Sequence, residues 1–311
     1  MSLKAKLTLP NNGNSTTQAD VDAVEALHQD GYCVLRRLMP HDSINQMNRD
    51  LDRTFQNTPC SEGLFYGNWT RRFGGLLKRS DVAKTLAMHP IILSLVESIL
   101  NPHCESIQLS LMQAIEVSPD APAQVPHRDQ DSWGGEKGKM EYMVSVMWPL
   151  TPFRRQNGAT VVWPGSNHIN PSIEEMLTGG IPAEMDPGDA LIFLGSTMHA
   201  QGANRTSLAR RGLVISYCLG WLKPHENQWL VYPPEIARTF SPELAALVGY
   251  RRHKPNLNNY EGQCPSILLK DILPDYIPSM DEFPDHLNQM INAFRHIQAQ
   301  RAQSVTVDER Q

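Results

Sequence analysis

The segment VPHRDQDSWGG, residues 125–135, places a histidine and an aspartate two positions apart. In an extended chain the side chains at i and i+2 leave the same face, so His127 and Asp129 can converge on one ion while Arg128 turns away. An imidazole with a carboxylate is a mixed N/O donor pair suited to Fe(II), Mn(II) or Zn(II). Two residues alone are a weak signal, and a third donor on another strand is needed. His199 supplies it, because the apolar run ALIFLG leads straight into Ser196-Thr197-Met198-His199. Two histidines and one carboxylate make a facial triad with three octahedral positions open, the arrangement of non-heme Fe(II) oxygenases. The other histidines fit less well. His168 follows the turn Pro164-Gly165-Ser166, His103 falls in a polar loop, and His89, His225 and His253 lie next to or near prolines. Surface or structural roles are expected of these five.

Such an iron needs an electron-rich co-substrate. A 2-oxo acid chelating it would leave a distal carboxylate for a guanidinium to bind through a forked pair of hydrogen bonds. Arg210 stands eleven positions beyond His199, at the start of an apolar strand, with Arg205 and Arg211 as competitors. Strand alternation does not choose, since the faces beginning at Arg210 and Arg211 are both largely apolar further along.

The elements that must position these residues are short strands. SIQLSLMQAIEV, EYMVSVMWPL, GATVVWPG, DALIFLG and RGLVISYCLGW are β-branched or aromatic and divided by Pro, Gly, Asn and Asp. They predict a barrel or double-sheet jelly roll over about residues 105–222. Before them, QADVDAVEALHQDG reads as a helix ended by Gly31, YCVLRRLM as a strand, and PHDSINQMNRDLDRTFQ as a helix. DVAKTLAMHPIILSLVESIL reads as a helix pair broken at Pro90. Residues 1–18, polar and rich in Asn, Ser and Thr, read as a flexible arm. The chain after residue 222 is Pro-rich, then ends in an amphipathic helix, MDEFPDHLNQMINAFRHIQAQRAQ. The expected architecture is mainly β with flanking helices, in a single domain over 19–311.

Composition narrows the function classes. A net charge of −5 argues against a general nucleic-acid binder. Five dispersed cysteines with no CxxC pair fit reduced thiols rather than a disulfide framework. The first residues lack a secretory signal's apolar run and no window reaches the length of a membrane span, so a cytoplasmic protein is expected. No GxGxxG or GxxxxGK[ST] is present, leaving nucleotide folds unsupported.

The blocks HRD, NGAT-x-VWPGSNH and DPGDALIF…H…N…RR, in that order, resemble the phytanoyl-CoA dioxygenase family of Fe(II)/2-oxoglutarate oxygenases. The resemblance runs over roughly residues 22–235, and HENQWLVYPPE is similar to the corresponding segment of members that tailor natural products. It implies a double-stranded β-helix, a cupin-like jelly roll, with Fe(II) held by His127, Asp129 and His199. It further implies Arg210 on the distal carboxylate of 2-oxoglutarate, with Gln124 and Thr160 also contacting that co-substrate. Fe(II), 2-oxoglutarate and O2 would together oxidise a small molecule by hydroxylation, desaturation or rearrangement, releasing succinate and CO2.

Substrate recognition is expected from residues flanking the site. These are Tyr66, Thr70 and Arg72 in the glycine-bounded FYGNWTRRFGG, read as a lid loop, with Asp131, Trp133 and Trp229. A mid-sized, partly apolar secondary metabolite fits these aromatics. The alternatives are an acyl-CoA, for which Arg71, Arg72, Lys78 and Arg79 would form a basic rim, and a cupin-like metalloenzyme that uses no 2-oxo acid. No nucleic-acid or membrane partner is expected. The long C-terminal tail could serve a contact between two copies in a homodimer.

Overall fold

The computed structural model describes residues 6–8 and 18–308. Its strands are β1 (Lys6–Thr8), β2 (Tyr32–Arg36), β3 (Thr70–Phe73), β4 (Ile107–Val117), β5 (Met143–Pro149), β6 (Thr160–Val162), β7 (Ile181–Pro182), β8 (Ala190–Leu194), β9 (His199–Gln201) and β10 (Arg210–Leu219). Seven form a large sheet in the order β1-β2-β8-β5-β10-β4-β3, and β7-β6-β9 form a small one. The five runs read as strands from the sequence become β4, β5, β6, β8 and β10. The large sheet nonetheless extends beyond the expected 105–222 core, because β1 and β2 join one edge and β3 the other. Within the expected arm, residues 6–8 pair in parallel with β2, and the rest of 1–17 lies outside the described residues.

Helices α1 (Gln18–Asp30), α2 (His41–Asn57), α3 (Asp81–Ala87) and α4 (Pro90–Leu100) precede the core strands. Pro90 opens α4 at its first turn, where its missing N–H costs nothing. One face of the large sheet (Leu109, Val144, Ile192, Leu213, Ile215) packs on Ala23 and Leu27 of α1, Met47 and Leu51 of α2, and Ile92 and Val96 of α4. Its other face (Ile115, Met147, Leu191, Phe193, Val214) closes on Ala159, Val162, Phe153 and Met185 from the small-sheet side. Two sheets facing across an apolar interior are the expected jelly roll. Among the described residues no single helix is long and apolar enough to cross a membrane, and the bent α3–α4 pair that approaches that length has its apolar residues in this core.

The bond between α1 and the site is local. Gly31 ends α1 with φ +81°, a conformation that disfavours any side chain. Its carbonyl accepts from the Thr197 hydroxyl at 2.7 Å, two residues before His199. A Cβ at Gly31 would sit 2.3 Å from that same oxygen. Gly31→Ala should therefore cost about 2 kcal/mol of stability, read by denaturant unfolding. An unchanged midpoint would contradict the assignment.

C-terminal to β10 the chain forms short helices at 228–231, 234–237 and 242–247, where only a Pro-rich segment was expected. The final helix, Asp285–Asp308, starts just after Pro284.

Candidate metal centre and co-substrate pocket

His127 and His199 face each other across an antiparallel bridge, each amide donating to the other's carbonyl at 3.0 and 2.9 Å. This pairing fixes the two imidazoles side by side, 4.4 Å between ring centroids. Arg128 has extended backbone (φ −117°, ψ 127°), so Asp129 falls on the face of His127. Arg128 itself donates to the Ser196 and Ser166 carbonyls, at 2.7 and 2.8 Å, bracing the loop that carries His199. The donor atoms of His127, Asp129 and His199 all lie within 4.8 Å of one another. Asp129 Oδ1 is 3.7 Å from His127 Nε2 and 3.6 Å from His199 Nε2. These spacings are close to the roughly 3 Å between cis ligands when metal–ligand bonds are about 2.1 Å.

The ring tautomers suit a metal. His127 Nδ1 lies 3.0 Å from the Val125 carbonyl and His199 Nδ1 3.1 Å from that of Thr197, each an N–H donation that leaves the Nε2 lone pair facing Asp129. Burial, helped by His199, pushes the His127 pKa down to about 4, against the pull of Asp129, so the ring is neutral near pH 7. Burial would raise the Asp129 carboxyl, but His199 and His127 hold it below its ordinary value. The Ser145 hydroxyl donates to Asp129 Oδ2 at 3.2 Å and lies 2.9 Å from Ser216 Oγ, fixing the carboxylate from beneath. Sequence reasoning missed these two serines. The available signal was a lone polar residue in each of the apolar runs YMVSVMW and LVISYC.

A cavity of about 410 Å³ opens on this trio and is lined also by Gln124, Thr160 and Arg210. Arg210 is 2% exposed. It stacks 4.2 Å over Phe153 and donates from Nη2 to the Gly158 carbonyl at 2.7 Å. Its Nε and Nη1 are buried with no partner, and no carboxylate pairs with it among the described residues. Burial, with Arg72 adding repulsion, lowers its pKa to about 9. A buried, half-satisfied cation is costly unless an anion joins it, so the pocket fits a carboxylate from outside the chain. The room for Phe153 beneath Arg210 comes from Gly212, where a Cβ would meet the ring at 2.6 Å.

The structure also separates the two arginines that sequence alternation leaves open. β10 is a central strand buried on both faces, which is why its pattern carries no choice. Arg210 opposes Val117 and faces between the sheets, whereas Arg211 opposes Glu116. Arg211 donates to Glu116 and Asp52, at 2.7 and 2.8 Å, and Arg71 holds the other Glu116 oxygen at 2.7 Å.

Of the expected substrate residues, Tyr66, Arg72 and Asp131 line the cavity and three do not. Trp133 is half-buried, donates from Nε1 to the Lys223 carbonyl at 2.9 Å and stands edge-on behind His225. Trp229 lies against Gly249. Thr70 is buried, its hydroxyl 3.2 Å from both Ser61 Oγ and the Tyr66 carbonyl, and so braces the loop. The stretch read as one lid loop is in fact half strand: β3 pairs with β4, and only the part before Thr70 is loop. That loop carries Phe65 edge-on to His127 at 4.7 Å. Arg72 has no acid partner among the described residues, lies 4.6 Å over the Tyr66 ring and donates to Gln113 at 3.3 Å. Of the basic rim expected for an acyl-CoA only Arg72 lines the cavity; Arg71 pairs with Glu116, and Lys78 and Arg79 donate to backbone carbonyls away from it. His225, set aside in the sequence for its neighbouring proline, lines the cavity close enough to Asp129 for each to influence the other's pKa.

Two facing sheets with a His/Asp/His trio at one end are the frame of the double-stranded β-helix class, with donors able to hold a metal. The phytanoyl-CoA dioxygenase (PhyH) family profile matches residues 27–212, more than half of the chain. The chain belongs to that family, whose members use Fe(II), 2-oxoglutarate and O2. Dioxygenase trt7 of Aspergillus terreus is 28% identical over 249 residues, covering 76% of this chain and 85% of the relative. Multifunctional dioxygenase ausE of Aspergillus calidoustus is 30% identical over 256 residues, with 76% and 85% covered. SnoN, a non-heme alpha-ketoglutarate-dependent epimerase from nogalamycin biosynthesis, shares the fold with a TM-score of 0.56 at 18% identity, over 67% of this chain and 86% of its own.

Proposed function

We propose that His127, Asp129 and His199 hold Fe(II), that Arg210 anchors 2-oxoglutarate, and that the enzyme oxidises a secondary-metabolite-like small molecule in the cytoplasm. The observation that carries this reading is Arg210, a buried guanidinium with two unpartnered nitrogens facing the trio's cavity. Bound iron, with 2-oxoglutarate and O2, supplies the oxidising power, and succinate and CO2 are released.

The chain's own residues position and exclude. The two Nε2 atoms and one Asp129 oxygen would bind the metal, with Ser145 orienting the carboxylate. Arg210 would take the distal carboxylate in a forked, charge-assisted pair, and Arg72, near enough to repel it, gives that anion a second cationic neighbour. Thr160 and Gln124 offer a hydroxyl and an amide on the same wall. Phe193, Val214, Met147 and Ile115 make the surrounding surface apolar, which keeps water from the reacting centre. With the basic rim dispersed, the cavity suits a mid-sized, partly apolar substrate better than an acyl-CoA.

The reading is tested by product analysis. Under air with Fe(II), wild-type protein should convert 2-oxoglutarate to succinate slowly even without a primary substrate. Absence of succinate at any 2-oxoglutarate concentration, in protein that carries iron, would contradict it and favour a metalloenzyme that uses no 2-oxo acid.

A further inference from the structure

His225 lies in the segment after β10, beyond the strands that carry the rest of the site, yet it is fixed more firmly than a loop residue requires. Its backbone N–H donates to Ser110 Oγ at 3.2 Å, and its Nδ1 lies 2.9 Å from that same oxygen. The next amide, of Glu226, donates to the Ser110 carbonyl at 2.9 Å. Ser110 is fully buried in β4, so the anchor does not move with the loop. The ring stands edge-on to Trp133 with 4.5 Å between centroids, and Trp133 is held in turn by its bond to the Lys223 carbonyl. Backbone, ring nitrogen and ring face are thus all committed, while Nε2 has no partner among the described residues and the ring borders the cavity.

The anchor also orients the ring. Ser110 Oγ accepts the His225 amide and meets Nδ1, so Nε2 is the nitrogen left for the cavity. With the Ser110 proton given to Nδ1, the ring proton sits on Nε2. The cavity that the ring borders presents an apolar part (Phe65, Leu111, Met143, Met147 and Val214) as well as polar side chains such as Gln113 and Asp131. A fixed donor beside such a surface recognises a molecule with a hydrocarbon part and an oxygen acceptor.

We propose that His225 is a specificity-determining residue whose Nε2–H donates to a carbonyl, hydroxyl or carboxylate oxygen of the substrate, with the apolar part of the cavity taking its hydrocarbon body. The proposal rests on the iron and 2-oxoglutarate reading of the same cavity. Trp133 then acts through His225 as a positioning residue rather than by touching substrate.

The test uses protein loaded anaerobically with Fe(II) and 2-oxoglutarate, titrated calorimetrically with two probes of one shape, 2-decalone and trans-decalin. His225→Phe keeps a ring against Trp133 and loses the donor, whereas His225→Gln keeps a donor at nearly the same place. In His225→Phe the ketone-to-hydrocarbon affinity ratio should fall about fivefold with decalin binding unchanged, the worth of one neutral hydrogen bond. His225→Gln should restore most of the ratio. A ratio equal to wild type in His225→Phe, or a wild type without any response to the ketone oxygen, overturns the proposal. The visible band of the Fe(II)–2-oxoglutarate complex should persist in both variants. Its persistence with an unchanged ratio rejects His225 alone, while its absence in wild type rejects the underlying reading.

Discussion

Arg210→Met should lower the affinity for 2-oxoglutarate by about a hundredfold while leaving the 2-oxoglutarate-free protein at least as stable as wild type. The lost affinity is that of a forked, desolvated bond between guanidinium and carboxylate. The retained stability follows from burial without a counter-ion. Arg210 is 2% exposed with Nε and Nη1 unpartnered, so a methionine of similar volume over Phe153 removes a desolvated charge at the cost of one bond to the Gly158 carbonyl. The neighbouring residue should behave in the opposite sense. Arg211→Met strips one of two arginines from the buried Glu116 and also frees Asp52, and should cost about 2 kcal/mol with 2-oxoglutarate binding intact. Isothermal titration and denaturant unfolding on the two variants separate the roles. An Arg210→Met protein that binds 2-oxoglutarate normally would leave that buried cation without a purpose.

His199→Ala should abolish turnover and lower Fe(II) affinity at least a hundredfold, because two donors remain where a facial site needs three. His199 and His127 are paired amide to carbonyl, so the backbone should stay in place when the ring is removed. Ser145→Ala leaves all three donors but frees Asp129 Oδ2, and should cost about tenfold in metal affinity. Metal content after dialysis against a graded chelator series reads both. Equal iron retention by wild type and His199→Ala would remove His199 from the ligand set.

Much of this was legible in the sequence because the signals are local. The i, i+2 spacing of His127 and Asp129 survives folding, since Arg128 between them is extended. Gly31 ends its helix where a glycine should, and Pro90 starts one. The choice between Arg210 and Arg211 was not legible from pattern, because a central strand is buried on both faces and alternation vanishes. It became legible only through the family resemblance and then through register, which sets Arg211 opposite Glu116. The substrate wall was the least legible part. Trp133 and Trp229 drew attention as large aromatics, but neither lines the cavity: Trp133 stands behind His225 and Trp229 lies against Gly249. His225 was set aside for its neighbouring proline, and no local spacing encodes its bond to Ser110, 115 residues away in the chain.

The central claim is that one cavity holds a metal by the trio and a 2-oxo acid by Arg210. The most direct test is the visible absorbance of protein mixed anaerobically with Fe(II) and 2-oxoglutarate, measured for wild type and for His199→Ala. A weak charge-transfer band in wild type that vanishes in His199→Ala is the predicted result. No band in iron-loaded wild type, or a band of equal strength in His199→Ala, would contradict the account.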